Sequence, residues 1–133
     1  MALQAGALRP VQECTQALMN ELCRAFSVSL IAVHVRGVRP HNMRGELHGL
    51  FRLSRPPEIL LWMRTAQRHD VVKPKTFLRT LLHELCHYLD YSMLKLDDSF
   101  HTMGFFKRES FLVRALLGIE RIAGERKAQV QRE

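Results

Sequence analysis

Apolar and polar positions along the chain fall into segments of two different periods. From Val11 to Phe26 (VQECTQALMNELCRAF) apolar residues recur at Val11, Cys14, Ala17, Leu18, Leu22 and Ala25, the spacing of an amphipathic helix. Ser27 to Val38 is β-branched, with Val28, Leu30, Ala32, Val33 and Val35 ahead of Gly37 and Pro40, and predicts a first strand. Leu47, Gly49, Phe51 and Leu53 alternate with His48, Leu50, Arg52 and Ser54, the period of a half-buried strand that Pro56 and Pro57 bring to an end. Glu58 to Arg64 (EILLWMR) resumes with a nearly continuous apolar run, so the two segments together predict a β-hairpin.

A polar, basic connection from Thr65 to Lys75 leads into a second helical period, and Pro74 suits a first-turn position. This period centres on Leu81 to Asp90, LLHELCHYLD. Setting His83 at zero and advancing about 100° per residue, His87 falls at about 40°, Thr80 at about 60°, Glu84 at about 100° and Asp90 at about −20°. Leu78, Leu81, Leu85 and Leu89 fall between about 160° and 240°, and Leu82 and Cys86 extend that stripe. The segment therefore predicts a helix with one leucine face and one His-Glu-His face. Further on, Asp97, Asp98 and Ser99 offer turn and N-cap chemistry. Phe105 to Leu117 has helical spacing with Gly118 placed to cap it, and a mostly polar last helix is expected from Ile119 to Gln131. The pattern predicts one α+β domain over residues 1–133, a small and mostly antiparallel sheet packed on the His-Glu-His helix with helices at both chain ends.

Length and composition set bounds on this picture. A chain of 133 residues is long enough to bury an ordinary core. No apolar run approaches the ~18 residues of a membrane span, so no membrane association is expected. Met1 to Pro10 lacks the basic and apolar regions of a secretory signal, which makes the cytoplasm the expected compartment. Cys14 and Cys23 point to opposite helix faces and Cys86 turns toward the leucine stripe, so three reduced, buried thiols are expected. The net charge of +7 is concentrated: His34 to Arg79 holds ten Lys or Arg against three acids, while the rest balances at ten against ten. A basic surface over residues 34–79 is a candidate for attracting nucleic acid or an acidic substrate, and equally for a solvated face.

The His83-Glu84-Leu85-Cys86-His87 motif carries the chemistry. Side chains at i and i+4 stack on one helix face, so two imidazoles can bind a single Zn²⁺ while Glu84 reaches toward a water on the metal. A catalytic zinc takes three protein ligands, and the downstream candidates are Asp90, Asp97, Asp98, His101 and Glu109. Asp90, one turn beyond His87, suits a hydrogen bond to an imidazole better than it suits the metal. His101 is the first choice and Glu109 the alternative. His34 within the first strand, and His69 with Asp70 in the basic connection, are expected to serve the fold.

Taken with Ser99-Phe100-His101-Thr102-Met103-Gly104-Phe105-Phe106-Lys107, the motif resembles the SprT-like family of zincin metallopeptidases. In that family an HExxH helix is followed by a histidine in an H-G-x-x-F-x-K-like pattern. His83, Glu84, His87, His101, Phe105 and Lys107 match position by position, and Thr102 departs from the family glycine. The likeness covers about the second half of the chain and, more loosely, the hairpin; no CxxC pair occurs in the sequence, so the zinc-ribbon tail of some members is not expected. The resemblance implies a zincin-like domain with His83, His87 and His101 as zinc ligands and Glu84 as general base in peptide hydrolysis. Tyr91, His69 and Arg108 are candidate oxyanion donors, and an extended peptide is expected along the Ile59 to Met63 strand. Two other classes stay open: a zinc-dependent nuclease, and a non-catalytic nucleic-acid- or protein-binding module with structural zinc. The spacing from His87 to His101 counts against the first and Glu84 against the second.

Overall fold

The computed structural model describes residues 3, 6–42, 45–93 and 103–116. Helix α1 (Leu8–Ala25) buries Val11, Thr15, Met19 and Cys23, residues four apart that form one stripe. It begins before the expected Val11, because Pro10 falls in the first turn, where a missing N–H costs no helical hydrogen bond. Ser27, with φ of 55°, turns the chain sharply, and the Val28 N–H donates to the Cys23 carbonyl at 3.0 Å. The residues spent on that turn make strand β1 (Ala32–Val38) shorter than the expected Ser27 to Val38.

Strands β2 (His41–Asn42) and β3 (Gly45–Glu46) form a separate two-stranded antiparallel ribbon. Strands β4 (Gly49–Arg52) and β5 (Glu58–Arg64) make the expected antiparallel hairpin, with register from Gly49↔Leu61 to Arg52↔Glu58. The longer ladder is parallel: β1 pairs with β5 from Ala32↔Glu58 to Val38↔Arg64, giving the order β1-β5-β4. The sheet is thus mixed, which corrects the expectation of a mostly antiparallel one. The chain between β1 and β5, which holds β2, β3 and β4, is long enough to bring it back for parallel pairing. As the central strand, β5 buries Ile59, Leu60, Leu61 and Met63, which accounts for its nearly continuous apolar run.

Helix α2 (Pro74–Ser92) carries the motif, with Pro74 at its start as expected. Leu81, Leu82 and Leu85 enter one core with Met19 and Cys23 of α1 and with Val33, Val35, Ile59, Leu61 and Met63 of the sheet. Both helices therefore cover the same sheet face. The Tyr88 hydroxyl donates to the Ser29 carbonyl at 2.6 Å and ties α2 to the entry of β1. Residues 103–116 form a third helix, α3, whose Phe105 and Leu112 cluster with Cys86 of α2. The result is an α+β fold with three helices and a small three-stranded mixed sheet. No helix among the described residues is long and apolar enough to cross a membrane. The turn expected at Asp97 to Ser99 and the last helix from Ile119 to Gln131 lie outside the described residues. All three cysteines are free; Cys23 and Cys86 are buried, but Cys14 is exposed because it sits opposite the buried stripe of α1, a correction to the expectation of three buried thiols.

One contact has no counterpart in the hydrophobic pattern. The outer edge of β1 is covered by two glutamine side chains of α1, one turn apart. Gln16 donates to the Ile31 carbonyl at 2.9 Å and accepts the Val33 N–H at 2.8 Å. Gln12 repeats this one step along, donating to the Val33 carbonyl and accepting the Val35 N–H, both at 2.6 Å. A primary amide has the donor and acceptor of a peptide group, so the pair stands in for a neighbouring strand. It also closes an edge that would otherwise be open to another chain.

Replacing Gln12 or Gln16 by alanine is expected to destabilise the fold by about 1–3 kcal/mol in chemical denaturation, by unpairing backbone groups of β1. Gln16→Glu, which cannot donate to the Ile31 carbonyl, is expected to cost at least as much as the alanine. Changes within about 0.5 kcal/mol for all three would contradict the edge-covering role.

Candidate metal centre

With the leucine face of α2 held in the core, His83 and His87 face away from the sheet, one above the other. Their Nε2 atoms are 3.3 Å apart, and the rings are nearly perpendicular at 79°. Two nitrogens bound at about 2.0–2.1 Å to one tetrahedral Zn²⁺ stand about 3.3 Å from each other. The pair fits the ion in chemistry and in spacing. Phe105 of α3, fully buried, lies with its ring centroid 5.1 Å from that of His83 and 4.5 Å from that of His87. It forms an apolar wall that restricts both rings.

His83 and His87 are the two expected ligands that the structure brings together; His101, the third, lies outside the described residues. Among the described residues no group of three or more His, Cys, Asp or Glu is arranged to hold a metal ion. Glu109, the alternative third ligand, has its Oε1 3.2 Å from Nδ1 of His83, the ring nitrogen on the other side from the one that meets His87.

Glu84 lies at the boundary between the two helix faces, and this decides its environment. It is only 6% exposed. Burial pushes its pKa up to about 7, opposed by the charge of His83 and by a hydrogen bond from the Phe51 backbone of β4, and reinforced by the negative charge of Glu109. A carboxyl group held near neutrality suits proton transfer at physiological pH.

The remaining candidates are placed as follows. Asp90, 1% exposed, pairs with Arg108 of α3, whose Nη2 lies 2.9 Å from its Oδ2. Arg108 is thereby engaged away from the cleft beside Glu84. Tyr91 is half exposed and sits against Phe51, ring centroids 6.2 Å apart. His69, with φ of 55°, belongs to the turn after β5, where its carbonyl accepts from Arg64 at 2.9 Å. His34 lies 3.1 Å from Glu58 on the neighbouring strand. Cys86 is buried and its thiol is pushed up to about 11, chiefly by desolvation, so it stays protonated. Of the basic residues between 34 and 79, Arg39 is buried, Arg52 binds Glu58 at 2.8 Å and Arg64 binds the Gly6 and His69 carbonyls. These three cations serve the fold.

A cleft of about 410 Å³ opens beside the pair, lined by His48, Gly49, Arg79, His83, Glu84 and Glu109 among others. Its wall includes β4. The expected peptide track along Ile59 to Met63 is occupied, because β5 is paired on both sides. In the antiparallel ladder His48 bonds inward to the Trp62 N–H, so by alternation Gly49 and Phe51 turn their backbone groups to the outer edge. No strand covers that edge among the described residues.

Gly49 is what lets β4 approach α2 at this point. A Cβ there would stand 2.7 Å from Thr80 Cγ2, 3.0 Å from Leu61 Cδ2 and 3.2 Å from Glu84 Cγ. The isolated glycine in the strand was a visible signal of such an approach, although the alternation pattern treats it only as an inward position.

Gly49→Ala is expected to lower stability by about 1–3 kcal/mol through overpacking. Adding Thr80→Ala, which removes the nearest atom, is expected to recover part of the loss in a double-mutant cycle. Strict additivity of the two substitutions would contradict the close contact. Comparison of the chain with protein-family models, with curated proteins and with solved structures finds no match.

Proposed function

We propose that the chain is a zinc-dependent metallopeptidase of SprT-like type, with His83, His87 and His101 holding the metal and Glu84 as general base. The observation that carries this reading is the 3.3 Å separation of the His83 and His87 Nε2 atoms beside the buried carboxyl group of Glu84. Zinc bound there would supply a Lewis acid, making water nucleophilic near neutral pH and polarising a carbonyl group. Glu84 takes the proton of the attacking water on its carboxylate and passes it to the leaving amine. The Phe51 N–H holds that carboxylate in place, and burial keeps bulk water from competing for its proton.

An extended peptide would add to the outer edge of β4 and pair with the backbone of Gly49 and with the Phe51 carbonyl, while the Phe51 N–H stays with Glu84. Arg79 at the cleft wall would favour an acidic side chain in that peptide. Arg36, Arg55, Arg68, Lys73 and Lys75, basic residues of the 34–79 region, would extend this preference to proteins associated with nucleic acid.

Incubation of the full chain with a casein-like protein, single-stranded DNA and RNA, each with and without a chelator, tests the class of reaction. Protein cleavage that the chelator stops is expected, and cleavage of nucleic acid alone would overturn the peptidase reading. Glu84→Gln is expected to retain zinc while losing about 10²–10⁴-fold in turnover. Unimpaired turnover would remove Glu84 from its role.

A further inference from the structure

We propose that Glu109 is a positioning residue: it fixes His83 in the tautomer that carries its proton on Nδ1 and so presents an unprotonated Nε2 to the metal. This rests on the reading of His83 as a zinc ligand.

The geometry is specific. An imidazole binds a metal through a lone pair, so the other ring nitrogen must carry the proton, and the hydrogen bond made there selects the tautomer. Glu109 Oε1 lies 3.2 Å from Nδ1, and both side chains are about three-quarters shielded, at 25% and 22% exposure. A carboxylate in that place accepts from Nδ1–H. In the opposite tautomer it would face a ring lone pair.

The delivery of Glu109 is also built into the contact between α2 and α3. Phe105, Arg108 and Glu109 stand at i, i+3 and i+4 and share one face of α3. Phe105 packs on both imidazoles, Arg108 binds the buried Asp90 at 2.9 Å, and Glu109 reaches His83. Asp90 lies two turns beyond His83 on the same face of α2, so the Arg108–Asp90 pair and the Phe105 wall hold α3 at two points. Those two contacts place the carboxylate of Glu109 against one nitrogen of one ring. The contact leaves the nitrogen that meets His87 on the opposite side, so the same glutamate does not serve as the third ligand.

The test uses the full-length chain, stripped of metal, with zinc as the probe. In ¹⁵N NMR of the stripped protein, His83 is expected to carry its proton on Nδ1, and Glu109→Ala is expected to shift it toward a mixture of tautomers. Zinc affinity, read by competition with a chromogenic chelator, is expected to fall about 10–100-fold in Glu109→Ala with one zinc per chain retained. Glu109→Gln, whose amide carbonyl can still accept, is expected to restore the tautomer and most of the affinity. A wild-type His83 protonated on Nε2, or unchanged affinity in Glu109→Ala, would overturn the proposal. So would a loss of the bound zinc in Glu109→Ala that Glu109→Gln fails to restore, since that marks a ligand. A wild-type chain that takes up no zinc, but whose His83 tautomer follows Glu109, would support the positioning contact and overturn the metal reading instead.

Discussion

The rotation of α2 about its own axis is the constraint on which the rest depends. Leu81, Leu82 and Leu85 are sealed against Ile59, Leu61 and Met63 of the central strand, and turning the helix would lift these side chains out of the core. Each such side chain is worth about 1.5–3 kcal/mol of burial, so the orientation is held far more strongly than any single polar contact could hold it. Three consequences follow from that one angle. His83 and His87 are brought together on the opposite face, Glu84 falls at the boundary, half under β4, and Asp90 meets α3. The raised pKa of Glu84 is thus a product of core packing: the leucines decide how deeply the glutamate is buried.

The sheet complements this arrangement by having unequal edges. On one side β1 is closed by the amides of Gln12 and Gln16, which copy the donor and acceptor order of a strand. On the other side β4 is short, and Gly49 brings its backbone against Thr80 and Glu84. The described edge open to an extended chain is therefore the one beside the candidate metal centre. Closing β1 protects the fold from pairing with itself at the far side, where no chemistry is in place.

Much of this was legible in the sequence, for identifiable reasons. Helix α2, its two faces and its start at Pro74 followed from the 3.6-residue period, and the limits of β5 followed from the bounds of its apolar run. The parallel pairing of β1 with β5 was not legible, because strand patterns encode which face is buried and not which strand lies alongside. The role of Gln12 and Gln16 was equally hidden: their i, i+4 spacing was visible, but only the fold puts them against the backbone of β1. The sequence offers Glu109 as an alternative metal ligand; its contact with Nδ1 of His83 depends on the approach of α3, set by Phe105 and Arg108. Tyr91 stands out as a possible donor by its phase on the metal face of α2, and His69 and Arg108 by residue type; each has a described contact, with Phe51, Arg64 and Asp90 in turn.

The central claim is that the paired imidazoles of α2 hold zinc. Its most direct measurement is a zinc titration of the chelator-stripped chain, following both bound metal and thermal unfolding, with His83→Ala and His87→Ala alongside. The account expects one zinc per wild-type chain and, at a free concentration about 100 times the dissociation constant, a stabilisation of about 2.7 kcal/mol that both variants lose. A wild-type chain that binds no zinc and unfolds at the same temperature with and without it would contradict the account.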